Sequence, residues 1–145
     1  MLLRLRHLGT LSVLALALTT STLRAQQTDE KMTAINAAFR IVGQQIADST
    51  RNANTMEQLV IIETNAKAAL ALEPEKKAQV PEADQAKFVA DYQAGIQKLI
   101  DATDRLHAAV HAGKNTEAAA IVEEMRALQR TSHGEFRLRR PPPGV

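Results

Sequence analysis

The sequence predicts an all-α protein folded as an up-down-up-down antiparallel four-helix bundle. Three observations carry that expectation. Alanine is abundant and runs of β-branched residues are rare, which favours helix. Apolar residues recur at spacings of three and four through four successive segments, the signature of one buried helical face. Most connections between these segments are short, and short connections make neighbouring helices antiparallel. Nothing in the pattern reads as a strand.

The chain opens with a stretch that does not belong to this bundle. Arg4 and Arg6 give a basic start, Leu11 to Leu18 form an apolar run too short to span a bilayer, and STLRA ends in the small residue Ala25. Residues 1–25 are therefore expected to be a secretory signal peptide, although Leu23 sits where a smaller residue is preferred. Its removal changes the charge. The whole chain has 18 Lys+Arg and 16 Asp+Glu, and residues 1–25 hold Arg4, Arg6 and Arg24 but no acid. The remaining chain has 15 basic and 16 acidic residues, a net charge of −1. The high isoelectric point is thus no argument for nucleic-acid binding. With no cysteine, an exported domain of residues 26–145 has no disulfide and must rely on its core or on a bound ligand.

Within that domain the first helix is expected from about Thr28 to Ser49, with Met32, Ile35, Phe39, Val42 and Ile46 on one stripe. Asn54 with Glu57 three residues on resembles a capping box at the start of the second helix, which carries Leu59, Ile62, Ala66 and Ala69 and ends near Leu72. EPEKKAQVPE, residues 73–82, holds two prolines and no periodicity, and reads as the one long connection. The third helix is expected from Ala83 to Ala112, with Phe88, Tyr92, Ile96, Leu99, Leu106 and Val110 facing inward. Gly113 suits a left-handed cap, and Asn115 suits the start of the fourth helix. That helix carries Ala118, Ile121, Met125, Leu128 and Ser132 and should stop near Leu138, before three consecutive prolines and a short tail.

In this topology the first helix begins where the fourth ends, so Met32 and His133 fall at the same end of the bundle. The four aromatics of the domain, Phe39, Phe88, Tyr92 and Phe136, fall in that half too. Methionine sulfur and histidine nitrogen are both ligands of haem iron. Phe88, Tyr92 and Phe136 could wall an apolar slot, and Arg137, Arg139 and Arg140 could face the propionates at its mouth. Each feature has a plainer reading. A methionine on an apolar stripe is usually core, and a histidine near a helix C-terminus usually offsets the dipole. His133 also lies about 100° around the helix from the centre of the apolar stripe. Their convergence at one end is what favours the ligand reading.

These residues resemble the cytochrome b562 family. TDEKMTAINAAFRIV is similar to its first helix, with Met32 on the axial methionine. AKFVADYQAGIQKLIDA is similar to its third, with Phe88 and Tyr92 at aromatic positions near the haem. NTEAAAIVEEMRALQRTSHGEFR is similar to its fourth, with His133 on the axial histidine and Arg137 on a basic residue at the haem edge. The resemblance extends over about Thr28 to Arg137 and is looser through the second helix and long connection. Gln129 departs from it, standing where the family often has an arginine, and so does Ser132, standing where an aromatic can precede the histidine. The resemblance implies one haem b (iron protoporphyrin IX) per chain, bound by Met32 and His133. It implies a periplasmic, monomeric electron carrier rather than an enzyme, meeting a transient redox partner protein and neither nucleic acid nor, once the signal is removed, membrane. Covalent attachment of the c type needs Cys-x-x-Cys-His; QRTSH has the histidine in register and neither cysteine, so the haem would be non-covalent.

Two other readings stand beside this one. A cofactor-free exported bundle, acting as a protein-interaction or stress-response module, accounts equally for the alanine-rich pattern but gives no reason for the clustered aromatics. His107 and His111, spaced i, i+4, could share a surface metal ion, but two histidines just before Gly113 are more simply explained by the helix dipole.

Overall fold

The computed structural model describes residues 11–138, with side chains described from residue 26 onward. The expected signal segment therefore falls outside the described side chains, and Arg139 and Arg140 lie outside the described residues. The described chain forms α1 (Leu11–Gln45), α2 (Asn52–Ala69), α3 (Glu82–His111) and α4 (Asn115–Phe136), with 3₁₀ turns at Ser49–Arg51 and Glu75–Gln79. Among the described residues there is no strand, and no helix is long and apolar enough to cross a membrane. The fold is the all-α four-helix bundle that the helical periodicity predicts.

The core follows the 3–4 spacing closely. Ile35, Phe39, Val42 and Ile46 from α1, Leu59 and Ile62 from α2, Leu106 and Val110 from α3, and Ile121 and Met125 from α4 are buried together. Burying a side chain of this size stabilises the fold by roughly 1.5–3 kcal/mol. Met32, Leu99 and Phe136 are only partly buried against this core. Close backbone approaches join α1 to α2, α2 to α3 and α3 to α4, whereas α1 and α4 stand further apart.

Helix ends differ from the sequence expectation wherever side chains found other partners. α1 stops at Gln45 rather than Ser49, because Asp48 caps the following 3₁₀ turn. Its Oδ1 accepts hydrogen bonds from the Thr50 amide at 3.0 Å and the Thr50 hydroxyl at 2.6 Å. Those bonds hold the Asp48 carboxyl below its usual range. The expected capping box does not form. α2 starts two residues before Asn54, whose Oδ1 accepts from Gln45 Nε2 at 2.9 Å and whose Nδ2 donates to Glu57 Oε2 at 3.2 Å. α2 also ends at Ala69, short of Leu72, and the long connection contains one 3₁₀ turn between its two prolines. α4 ends at Phe136, and Arg137 takes up an extended conformation.

Gly113 behaves as expected. Its φ of 70° is left-handed, its amide donates to Val110 O, and the Lys114 amide donates to Ala109 O, which makes a Schellman termination of α3. Replacing Gly113 by alanine should lower stability by about 1–2 kcal/mol through the left-handed penalty alone, since an added Cβ meets no atom within 4 Å. Thermal unfolding of the two proteins measures this.

Asn115 is not a cap but the first residue of α4. Its Nδ2 donates to Ile46 O at 2.7 Å and to Asn52 Oδ1 at 2.8 Å, while Asn52 Nδ2 donates to Val110 O at 3.3 Å and to Asn115 Oδ1 at 3.3 Å. One pair of amides thus ties together the end of α1, the start of α2, the end of α3 and the start of α4. The opposite end is joined by separate bonds. There the Thr28 hydroxyl donates to Glu73 O at 2.9 Å, and Lys76 Nζ donates to Glu135 O.

Candidate functional site

At that second end, where α1 and α4 diverge, the bundle opens into a pocket with a cavity volume of about 170 Å³. α1 contributes Met32 and Phe39, α3 contributes Tyr92 and Ile96, and α4 contributes Met125 and His133. Met32 and His133, 101 positions apart in sequence, line the same space. Phe136 and Arg137 line it as well, the latter beside His133 near the mouth.

Phe88 does not line the pocket. It stands behind Phe136, ring centroids 5.3 Å apart and planes tilted by 57°. Tyr92 meets Phe136 edge-on, at 5.6 Å and 77°. The three rings form a stack in which Phe88 braces the wall that Tyr92 and Phe136 present. The i, i+4 relation of Phe88 and Tyr92 brings both to α4, but the former sits one turn nearer the start of α3.

The titratable groups report how dry this space is. Burial, and secondarily the nearby Arg137 guanidinium, hold the His133 imidazole below the usual histidine range. It is therefore neutral at pH 7, with a lone pair available. Burial pushes the Tyr92 phenol up to about 12. Its hydroxyl is the one buried side-chain polar atom, among the described residues, with no hydrogen-bond partner. Such a group is costly to leave unmatched and marks a place where another molecule belongs.

Tyr92 is the only tyrosine and there is no tryptophan, so its ionisation can be read directly by ultraviolet difference absorbance. In the cofactor-free protein the phenol should titrate near pH 12 rather than 10. The raised folded-state value makes stability full below pH 10 and lost as pH rises from 10 towards 12. A titration midpoint near 10 in folded protein would show the hydroxyl to be solvated.

Several pocket residues were not singled out by the sequence. Asn36 lies one turn after Met32, and its Oδ1 accepts from Gln129 Nε2 at 2.7 Å, bridging α1 to α4. A polar residue i+4 from a candidate ligand was the available signal. Gly95, also in the wall, would place a Cβ 3.7 Å from Phe136 and 3.8 Å from Ser132, so the absent side chain leaves room at the pocket rather than relieving a clash. Its signal was a glycine within the helix three residues past Tyr92. His107 and His111 lie at the far end of α3, away from this pocket, and no cluster of three His, Cys, Asp or Glu able to hold a metal occurs among the described residues.

The fold and this site together define a four-helix bundle with a deep, largely apolar ligand slot at one end, lined by a thioether and a neutral imidazole from two different helices. The cytochrome b562 family model matches residues 27–137, and the chain belongs to that family. Members are haem-binding, electron-transferring helical bundles, carriers rather than enzymes. No match was found among curated proteins.

Proposed function

We infer that this protein is a periplasmic b-type haem electron-transfer protein, in which Met32 and His133 ligate one non-covalently held haem per chain. The observation that carries this reading is the presence of both side chains in one mainly apolar pocket, on α1 and α4, at the end where those helices diverge. The residues present fit the group. Its walls are apolar and aromatic, the imidazole is neutral, and the Tyr92 hydroxyl has no protein partner among the described residues.

Bound haem supplies a one-electron iron couple whose potential methionine–histidine ligation raises. Met32 contributes a soft, uncharged sulfur from a position half packed against the core. His133 contributes a nitrogen that needs no deprotonation near neutral pH, because burial has already disfavoured its charge. Tyr92 and Phe136 exclude water from the slot, and Phe88 braces them. Arg137 places positive charge beside the mouth, suited to carboxylates there. With no cysteine in the chain, thioether attachment is excluded and retention rests on ligation and packing. Export is read from the basic-then-apolar start of the sequence and its small residue Ala25. A transient redox partner protein would meet the monomer near the slot.

Haem titration tests the reading. Saturation at one equivalent, with a sharp low-spin reduced absorption spectrum, is expected. A protein that takes up no haem, or takes it up without a stoichiometric end point, is a cofactor-free bundle instead.

A further inference from the structure

Beside the haem slot, and sharing Asn36, Phe39 and Gln129 with it as a common wall, a second and shallower groove runs between α1 and α4. Its other residues are Arg40, Gly43, Gln44, Arg126 and Arg130. Three guanidiniums and no carboxylate line it. The acid-free character extends beyond the groove, since α1 has no Asp or Glu from residue 31 to 45 and α4 has none from 125 to 134. Against an exported chain of net charge −1, this is a local concentration of positive charge.

The groove has a built element. Arg126 lies across the backbone of α1, its Nη2 donating to Gly43 O at 3.4 Å and its Nη1 to Glu123 Oε1 at 2.9 Å. A Cβ at residue 43 would stand 2.6 Å from that Nη2, so glycine is what lets the guanidinium settle there. Arg40 and Arg130 flank it, exposed and without an ion-pair partner among the described residues. Neither Arg40 nor Arg130 has an Asp or Glu three or four residues away on its own helix, where such a pair would form.

We propose that this α1–α4 groove is the docking surface for a carboxylate-rich face of the redox partner, so that the partner approaches the side of the slot rather than its Arg137 mouth. The chemistry is charge complementarity: guanidiniums pair with carboxylates in bidentate fashion, and such patches mainly steer encounter and fix orientation. Only the Asn36–Gln129 hydrogen bond and Phe39 separate a partner seated here from the slot. The identity of the partner as a redox protein rests on the haem reading; the groove's preference for carboxylates does not.

The test uses a deca-glutamate peptide as the probe and ¹⁵N-labelled protein, with and without haem, at low salt. Amide and arginine side-chain signals of Arg40, Gly43, Gln44, Arg126 and Arg130 should shift together in both forms. Binding should weaken about tenfold in R40Q/R126Q/R130Q, and in wild type as salt is raised, but not in R137Q. A haem titration of the triple variant, expected to remain at one equivalent, separates this surface from the slot. Peptide shifts in a protein that takes up no haem would sustain the groove and remove the electron-transfer role. Absence of peptide binding, shifts centred on residues 137–138, or shifts scattered over all basic residues would overturn the docking surface. Equal shifts from inorganic phosphate at matched charge would make it a small-anion site and overturn it too.

Discussion

Replacing His133 by alanine should abolish the low-spin haem spectrum. The imidazole enters the slot from the last turn of α4 and has no protein hydrogen-bond partner among the described residues, so its removal leaves the rest of the pocket in place. Met32→Ala should act in the same direction by removing the sulfur on α1. Loss of either ligand should cost more haem affinity than the roughly 10–100-fold typical of changes one shell further out. Neither change should lower the stability of the cofactor-free protein greatly, because both side chains are only partly buried. The measurement is a pair of haem titrations followed by reduced-minus-oxidised spectra. Two unchanged spectra would remove the ligand assignment. The wild-type affinity should also fall as pH is lowered through the histidine range, since protonation competes for the ligating nitrogen. The lowered His133 pKa moves that fall to below the ordinary value of 6.5.

Replacing Leu106 by alanine should do the reverse. Leu106 is fully buried in the part of α3 remote from the slot. Truncating such a leucine leaves a cavity and costs about 2–5 kcal/mol. The loss should appear as a lower midpoint in denaturant unfolding at unchanged slope. The haem spectrum of the folded fraction should stay low-spin, because no pocket residue has been altered. The two experiments therefore separate what holds the bundle together from what the slot does. A Leu106→Ala protein with wild-type stability would mean that the closed half of the bundle is less tightly packed than its burial implies.

The elements of this fold were legible because each helix carries a long apolar stripe, and periodicity over about three turns or more is hard to mistake. The end of α3 at Gly113 and the start of α4 at Asn115 were legible too, but the end of α1 and the start of α2 were not. Asn54, Asn115 and Asp48 are all good capping residues, but a capping residue says only that its side chain can satisfy backbone amides. Asn115 and Asn54 found partners on other helices instead, and tertiary geometry decides that. The pocket was legible from topology, since antiparallel order alone brings residue 32 beside residue 133. Phe88 falls outside the pocket lining because helical spacing gives the face of a residue and not its depth. One turn from Tyr92 proved enough to put it behind the wall. Gly95 and Asn36 were passed over because neither residue type announces a function outside its surroundings.

The paired amides of Asn52 and Asn115 give the molecule the mechanics of a clothes-peg. They bind four helix termini across sequence separations of 58 to 69 residues, at the end furthest from the slot. The other end is joined by pairwise bonds, among them the one from Gln129 to Asn36 across its two outer jaws, α4 and α1. A rigid disc can enter such an object by splaying the jaws while the spring stays closed. Loading and loss of the cofactor then need no global unfolding, and a vacated bundle keeps the register on which the next loading depends.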